Sequence, residues 1–193
     1  MSDVKNILLV GVGGQGTILT SKILSKGFLE NNFDVKMAEI HGMSQRGGSV
    51  TTQIRYGKNV FSPVIEKSCA DIIVAFEKSE ALRFLDYLKK DGILVINDYE
   101  LLPITVNIGA EAYPQDVINE YYKAVGKDKV HVIAAHKIAE DLGNTKCMNI
   151  VLLGALVKMF KLDTIDWEKL IAESVPEKAV ELNVAAFRKG LEI

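Results

Sequence analysis

Cysteine is scarce in this chain, and its scarcity restricts the chemistry that the chain can hold by itself. Among 193 residues only Cys69 and Cys147 occur, far apart and in no CxxC pattern. An iron–sulfur cluster normally takes four thiolates, and a structural zinc site usually takes four Cys or His ligands. The three histidines, His41, His131 and His136, are also scattered. We therefore expect two buried structural thiols and no metal or cluster site in this chain.

An excess of one charge and a long apolar segment are also missing. The formal net charge is −2, which does not favour binding to nucleic acid or to an anionic membrane. The N-terminal residues lack the long apolar core and small-residue cleavage site of a secretory signal. The longest apolar stretch, 148–160, is interrupted by Asn149, Gly154 and Lys158 and is too short to cross a bilayer. We expect a cytoplasmic protein whose partners are small molecules or other proteins.

Short apolar runs alternate with helical patterns along the chain, which is typical of an α/β fold. Continuous apolar runs read as buried strands, and the alternating segment 49–56 reads as a strand that Gly57-Lys58-Asn59 turns into a hairpin with Val60-Phe61. The pattern predicts a Rossmann-like, doubly wound, mostly parallel sheet with helices on both faces and a helical C-terminal segment, all in one domain. The predicted buried strands are 4–10, 35–40, 70–76, 92–97 and 130–134, and the predicted helices are 15–30, 79–89, one opened near Pro114, a fully buried one at 148–160, and one after Pro176.

A glycine loop, GVGGQG, follows the first predicted strand and opens the first predicted helix. In that context Gly11 permits a tight turn, Gly13 lets backbone N–H groups approach a diphosphate, and Gly16 allows the helix to pack closely. Glu39, near the end of the second strand, stands where a ribose-binding acid would be expected in a dinucleotide site. The loop by itself leaves three interpretations open: a phosphate-bearing ligand in general, NAD(P) in particular, or a purely architectural turn.

A second polar loop, EIHGMSQRGGS, follows the second predicted strand. Loops at the carboxyl ends of parallel strands line the ligand crevice, so we expect the two loops to be neighbours. Arg46 offers a fork of donors for a phosphate or carboxylate, and Gly47-Gly48 permits a close backbone approach.

Together, GVGGQG and AEIHGMSQRGGSV resemble the gamma-type domain of 2-oxoacid:ferredoxin oxidoreductases, and the second motif resembles the beta subunit of the indolepyruvate type in particular. The resemblance covers essentially the whole chain and implies that residues 1–193 form a single gamma-type domain. By motif position it implies that the cofactor-binding residues are Gly11, Gly13, Gly14, Gln15 and Gly16 of the first loop and His41, Ser44, Gln45, Arg46, Gly47 and Gly48 of the second.

The same resemblance implies an oxidative decarboxylation of 2-oxoacids to acyl-coenzyme A, with ferredoxin as the electron acceptor. It assigns thiamine diphosphate, magnesium and 4Fe–4S clusters to a large partner subunit, and it associates the gamma-type domain with coenzyme A. It implies no catalytic residue in this chain, which we expect to be inactive by itself. The alternatives are a free-standing NAD(P)- or flavin-dependent oxidoreductase and a nucleotide-binding module without chemistry.

Three further polar residues follow predicted strands and stay ambiguous. Glu77 either faces the crevice or caps the helix that follows it. Asn97 and Asp98 come after the fourth buried strand and present the same choice between the site and the scaffold.

Overall fold

The computed structural model describes residues 4–42 and 47–193, and within those ranges it contains one six-stranded sheet flanked by helices. Short 3₁₀ turns connect several of the elements. In chain order the elements are β1 (Lys5–Val12), α1 (Thr17–Glu30), β2 (Asp34–His41), β3 (Ser49–Gly57), β4 (Ala70–Ala75), α2 (Glu80–Phe84), β5 (Leu88–Asn97), α3 (Ile104–Asn107), α4 (Val117–Val125), β6 (Val130–Ile133), α5 (Ala135–Asp141), α6 (Met148–Met159), α7 (Trp167–Ser174) and α8 (Val180–Leu191).

The strand order in the sheet is β2-β3-β1-β4-β5-β6. β1, β4, β5 and β6 pair in parallel, whereas β3 pairs antiparallel with both β1 and β2. β3 runs against the other strands because it follows β2 directly, without the helical crossover that a parallel neighbour needs. The prediction of a mostly parallel, doubly wound α/β sheet is confirmed.

Apolar side chains of β1 pack on both faces of the sheet, which explains why its sequence is continuously apolar. Ile7 and Leu9 belong to the core under α1, α6 and α7, whereas Leu8 and Val10 belong to the core under α2 and α4. Helices therefore cover both faces, as the sequence predicts.

α6 is buried along nearly its whole length, which confirms the prediction for 148–160. It lies against α8, and the two backbones meet where Gly154 faces Gly190. A Cβ on Gly154 would collide with the Phe187 carbonyl oxygen. Among the helices that the structure describes, none is long and apolar enough to span a membrane.

One predicted element is wrong and another is too long. Val60-Phe61 forms no hairpin with β3, because β2 and β1 already occupy both edges of that strand. The predicted helix 79–89 is too long: after α2 and a 3₁₀ turn the chain enters β5 at Leu88, which pairs with Ala70. Smaller differences affect element ends, since α1 begins at Thr17 rather than at residue 15.

Candidate functional site

A large cavity lies at the carboxyl edge of the sheet, beside the glycine loop. Its volume is about 630 Å³. Four elements border it: the start of α1, the last residues of β2, the first of β3 and the end of α7. The lining residues are Gly13, Gly14, Gly16, Thr17, Ile18, Leu19, Lys22, Glu39, His41, Val50 and Ser174.

Three glycines of the first loop are required by its geometry. Gly14 and Gly16 have φ angles of +98° and +82°, in the left-handed region that side-chain-bearing residues rarely adopt. A Cβ on Gly16 would also lie 2.6 Å from Nδ2 of Asn149, and one on Gly11 would lie 2.9 Å from Cβ of Phe76. The loop can therefore lie this close to β4 and α6 only with glycine at these positions.

The side chain of Gln15 stabilises the conformation of the glycine loop by hydrogen bonds to the backbone. Gln15 is buried; its Oε1 accepts a hydrogen bond from the Val12 N–H at 2.7 Å, and its Nε2 donates to the Phe76 carbonyl at 3.3 Å. These bonds tie the loop to the end of β4. In the described structure Gln15 positions the loop, and the prediction that it contacts a cofactor stays a prediction.

The first turn of α1 presents backbone donors to the cavity. The N–H groups of Thr17, Ile18 and Leu19 have no partner within the helix, as at any helix start, and all three residues line the cavity. Gly16, the N-cap residue, has no side chain to cap this end, and the first turn contains no acidic residue. The helix dipole adds partial positive charge, and the ammonium of Lys22 lies one turn further on. This arrangement suits a phosphate or diphosphate group.

The second loop meets the first, as the sequence predicts. The Gly13 N–H donates to the Gly48 carbonyl at 2.9 Å, and Gly47 has a φ angle of +78°. His41 ends β2 and lines the cavity together with Glu39, two positions earlier on the same strand face. Ser44, Gln45 and Arg46 lie outside the described residues. For all eleven predicted site residues, cofactor binding stays a prediction.

Glu77 caps α2, which decides between the two interpretations that the sequence left open. Within the part of the chain that the structure describes, only 1% of the surface of Glu77 is exposed to solvent. Oε2 accepts from the N–H and Oγ of Ser79 and from the N–H of Glu80, at 2.8, 2.7 and 3.0 Å. Oε1 accepts from the Leu101 N–H at 3.3 Å and the Tyr113 hydroxyl at 2.5 Å. Glu77 thus joins β4, α2 and the chain after β5.

Asn97 is a scaffold residue in the described structure. Its Nδ2 donates to the Phe76 carbonyl at 3.1 Å, and its Oδ1 accepts from the His136 N–H at 3.3 Å. The neighbouring Asp98 forms an ion pair with Lys78 at 2.7 Å. The carboxyl ends of β4, β5 and β6 are thereby tied together.

Glu80 links α2 to the start of β3. The Ser49 hydroxyl donates to its Oε2 at 2.5 Å, and Ser49 directly follows the glycines of the second loop. Burial raises the pKa of the Glu80 carboxyl, and nearby Glu77 raises it further, against the lowering effects of Ser49 and Arg83. The sequence motifs did not single out Glu80. The pattern that could have indicated it is a second carboxylate three residues after Glu77, at the start of a predicted helix.

This raised pKa predicts a specific pH dependence of stability. The folded state binds the Glu80 proton more tightly than the unfolded chain does, so protonated Glu80 stabilises the fold. This stabilisation is fully present below the ordinary pKa of 4.5 and is lost as the pH rises through the raised pKa. We expect Glu80→Gln, which keeps an acceptor for Ser49, to gain stability relative to the wild type as the pH rises from about 4 to about 7. Urea unfolding across this range measures the difference. Glu111→Gln, the same change at an exposed carboxylate, is measured beside it as the control, and a constant difference for Glu80→Gln would contradict the assignment.

A second, smaller cavity of about 220 Å³ lies on the other side of the glycine loop. The rings of Tyr99 and His136 stack at its wall, with centroids 4.2 Å apart. Lys146 and Thr145, just before α6, complete the wall. Tyr99 and Thr145 were not predicted, because nothing in their local sequence indicates that two loops and a helix start converge there.

The two cysteines lie on opposite faces of the sheet. Cys147 is buried in the core that contains α6, whereas Cys69 is half-buried against the core on the other face. Burial raises the pKa of the Cys147 thiol, which disfavours the reactive thiolate. The expectation of two buried thiols is confirmed for Cys147 and only in part for Cys69.

Comparison with known proteins identifies relatives over the full length of the fold. The family described as "Pyruvate ferredoxin/flavodoxin oxidoreductase" matches residues 6–193. The indolepyruvate oxidoreductase subunit IorB of Thermococcus kodakarensis is 37% identical over 192 residues, which cover 97% of this chain and 94% of the relative.

Two solved structures share the fold. The pyruvate oxidoreductase subunit PORC of Thermotoga maritima has a TM-score of 0.73 at 23% identity, covering 99% of this chain and 97% of that chain. The 2-oxoglutarate:ferredoxin oxidoreductase of Magnetococcus marinus, determined with 2-oxoglutarate, coenzyme A and succinyl-CoA bound, has a TM-score of 0.73 at 18% identity. It covers 100% of this chain and 31% of that chain. From the family match and the full-length relative, the chain belongs to the pyruvate ferredoxin/flavodoxin oxidoreductase family.

Proposed function

We propose that this chain is the small subunit of an indolepyruvate-type 2-oxoacid:ferredoxin oxidoreductase. The enzyme would oxidatively decarboxylate an arylpyruvate, transfer the acyl group to coenzyme A and pass two electrons to ferredoxin. The observation that carries the proposal is the similarity to an indolepyruvate oxidoreductase subunit over 97% of this chain and 94% of the relative. The free-standing NAD(P)- or flavin-dependent enzyme has no such support among the relatives named above.

In this proposal the chemistry of decarboxylation and electron transfer belongs to a large partner subunit that holds thiamine diphosphate, magnesium and 4Fe–4S clusters. The placement of the thiols supports this division, because Cys69 and Cys147 pack on opposite faces of the sheet and cannot ligate one cluster together. The Magnetococcus marinus chain is about three times as long as this fold, since the matched region covers 31% of it. This chain would thus be an accessory component, inactive by itself.

The assembly is tested by co-expressing the tagged chain with the large subunit from the same genome. Purified complex should reduce ferredoxin with indolepyruvate only when coenzyme A is present, and the isolated chain should show no turnover. A chain that remains alone in the presence of the large subunit, or turns over without it, would overturn the proposal.

Coenzyme A is the ligand that we propose for the glycine loop. Its diphosphate suits the first turn of α1 and the left-handed Gly14 and Gly16, where no side chain blocks the approach to the backbone. Lys22 supplies a cation at the same cavity, and Glu39 supplies an acceptor for a ribose hydroxyl. In this proposal the chain binds and orients coenzyme A, the acyl acceptor, and none of these groups takes part in proton transfer.

We expect Lys22→Met to raise the KM for coenzyme A about tenfold in the complex, with kcat changed less than about twofold, because one charge-assisted contact to phosphate is lost. Steady-state kinetics with varied coenzyme A measures both constants. Lys26→Met is the matched control on the same helix, because Lys26 pairs with Glu173 rather than lining the cavity. Equal effects of the two substitutions would contradict the placement of coenzyme A here but leave the subunit assignment intact.

A further inference from the structure

The chain between β5 and α4 exposes an unusual group of aliphatic side chains. We call residues 101–112 the apolar loop; it contains the short helix α3. Ile104 is 76% exposed and Ile108 is 71% exposed, and Leu101 and Leu102 are exposed to a lesser degree. Single exposed aliphatic residues are ordinary, whereas a cluster within eight consecutive positions marks an interaction surface.

Hydrogen bonds to the buried Glu77 carboxylate hold the apolar loop in place at its start and just beyond its end. The Leu101 N–H donates to Oε1 of Glu77, and so does the hydroxyl of Tyr113. Within the loop, the Thr105 hydroxyl donates to Glu111 at 2.8 Å. The aliphatic side chains are therefore presented by an anchored segment, and a partner would not have to order the loop before binding it.

The charges around the apolar loop are mainly negative. Asp98 and Glu100 precede it and Glu111 lies within it, and Lys78 pairs with both Asp98 and Glu100, at 2.7 and 2.9 Å. Lys146 lines the same cavity as the first residue of the loop, so three carboxylates stand against two ammonium groups, and Glu111 forms no ion pair with a described residue. A complementary partner surface is aliphatic in its centre and carries Lys or Arg at its border.

The apolar loop is also continuous with the candidate site. Leu101 lines the cavity that Gly13 and Gly14 of the glycine loop border from the other side. A protein seated on the apolar loop would consequently reach the carboxyl edge of the sheet, where the glycine loop lies. For an accessory subunit this is the edge that must face the reacting centre.

We propose that the apolar loop is the docking surface for the large subunit, which receives Ile104 and Ile108 in an aliphatic pocket bordered by basic residues. The inference rests on the proposed function, because the occupant is the subunit that carries the chemistry. Beyond the proposed function, it specifies which surface of this chain contacts the large subunit.

The test compares two variants in the purified complex. In Ile104→Ser/Ile108→Ser we expect the affinity for the large subunit to fall at least about 100-fold, since truncating a central interface residue typically weakens binding about tenfold or more. Phe61→Ser is the matched control: Phe61 is 97% exposed and follows β3, which ends beside the start of β2 and therefore at the end of the sheet opposite the apolar loop. The affinity of this variant for the large subunit should stay within about twofold of the wild type. Dissociation on dilution, followed by mass photometry, measures both, and urea unfolding of each isolated variant establishes that it is folded.

The remaining outcomes separate this inference from the proposed function. If the wild-type chain forms the complex and the double variant binds equally well, the docking surface is overturned and the subunit assignment stays in place. The same holds if the double variant and Phe61→Ser weaken the complex equally. An isolated chain that dimerises through the apolar loop, with unaltered binding of the large subunit, assigns the surface to a second copy and also overturns it. A wild-type chain that forms no complex overturns both.

Discussion

Replacing Gly16 with alanine is expected to lower the free energy of unfolding by about 2–5 kcal/mol. An L-residue in the left-handed region costs roughly 1–2 kcal/mol, and forcing a methyl group into a packed interior costs about 1–3 kcal/mol more. Both apply at Gly16, whose φ is +82° and whose added Cβ would lie 2.6 Å from Nδ2 and 2.8 Å from Cγ of Asn149. Asn149 cannot easily yield, because it is buried at the start of α6 and donates to the Gly16 carbonyl.

Gly14→Ala is the control that separates the two effects. Its φ of +98° is equally unfavourable, but nothing lies within 4 Å of the added Cβ. We expect Gly14→Ala to cost about 1–2 kcal/mol, from the backbone alone. Urea unfolding of both variants gives the comparison. Equal losses would show that the contact between the loop and Asn149 contributes nothing to stability.

The sequence predicted the part of the site that depends on local backbone geometry. The glycine loop follows a buried strand and opens a helix, and the requirement for Gly11 and Gly16 can be read from that context. The contact between the two loops was also predictable, because both follow strands that end at the same edge of the sheet. The structure confirms it through the bond from Gly13 to Gly48.

Features that depend on distant packing were not predictable from local patterns. The direction of Gln15 is decided by the Phe76 carbonyl, 61 positions away in the chain. The pairing of β3 with β2 was missed because a turn signal at 57–59 resembled a hairpin, whereas register and pairing depend on which strand edges are free. The C-terminal end of the helix predicted over 79–89 is wrong for the same reason, since the pairing of Leu88 with Ala70 overrides helical periodicity there.

Removing the Glu77 carboxylate is the second substitution for which we expect a large effect. Glu77→Ala should lower the free energy of unfolding by about 3–5 kcal/mol, because several buried donors would lose a charged acceptor at once. Burial raises the pKa of the Tyr113 phenol, and the hydrogen bond to Glu77 raises it further, so this group stays a donor. Glu77→Gln keeps the volume but places an amide opposite N–H and O–H donors, and should fall between the alanine variant and the wild type.

Glu77 also connects stability to assembly, which gives its substitution a second measurable consequence. The carboxylate joins the N-terminus of α2 to the Leu101 N–H and the Tyr113 hydroxyl, and so it anchors the apolar loop at its start and just beyond its end. If that loop contacts the large subunit, Glu77→Gln should weaken the complex although Glu77 itself is buried and contacts no partner. Glu111→Ala, an exposed carboxylate on the same loop, should change the unfolding free energy by less than about 0.5 kcal/mol. A Glu77→Gln variant that is destabilised yet binds the large subunit with wild-type affinity would show that Glu77 supports the fold alone.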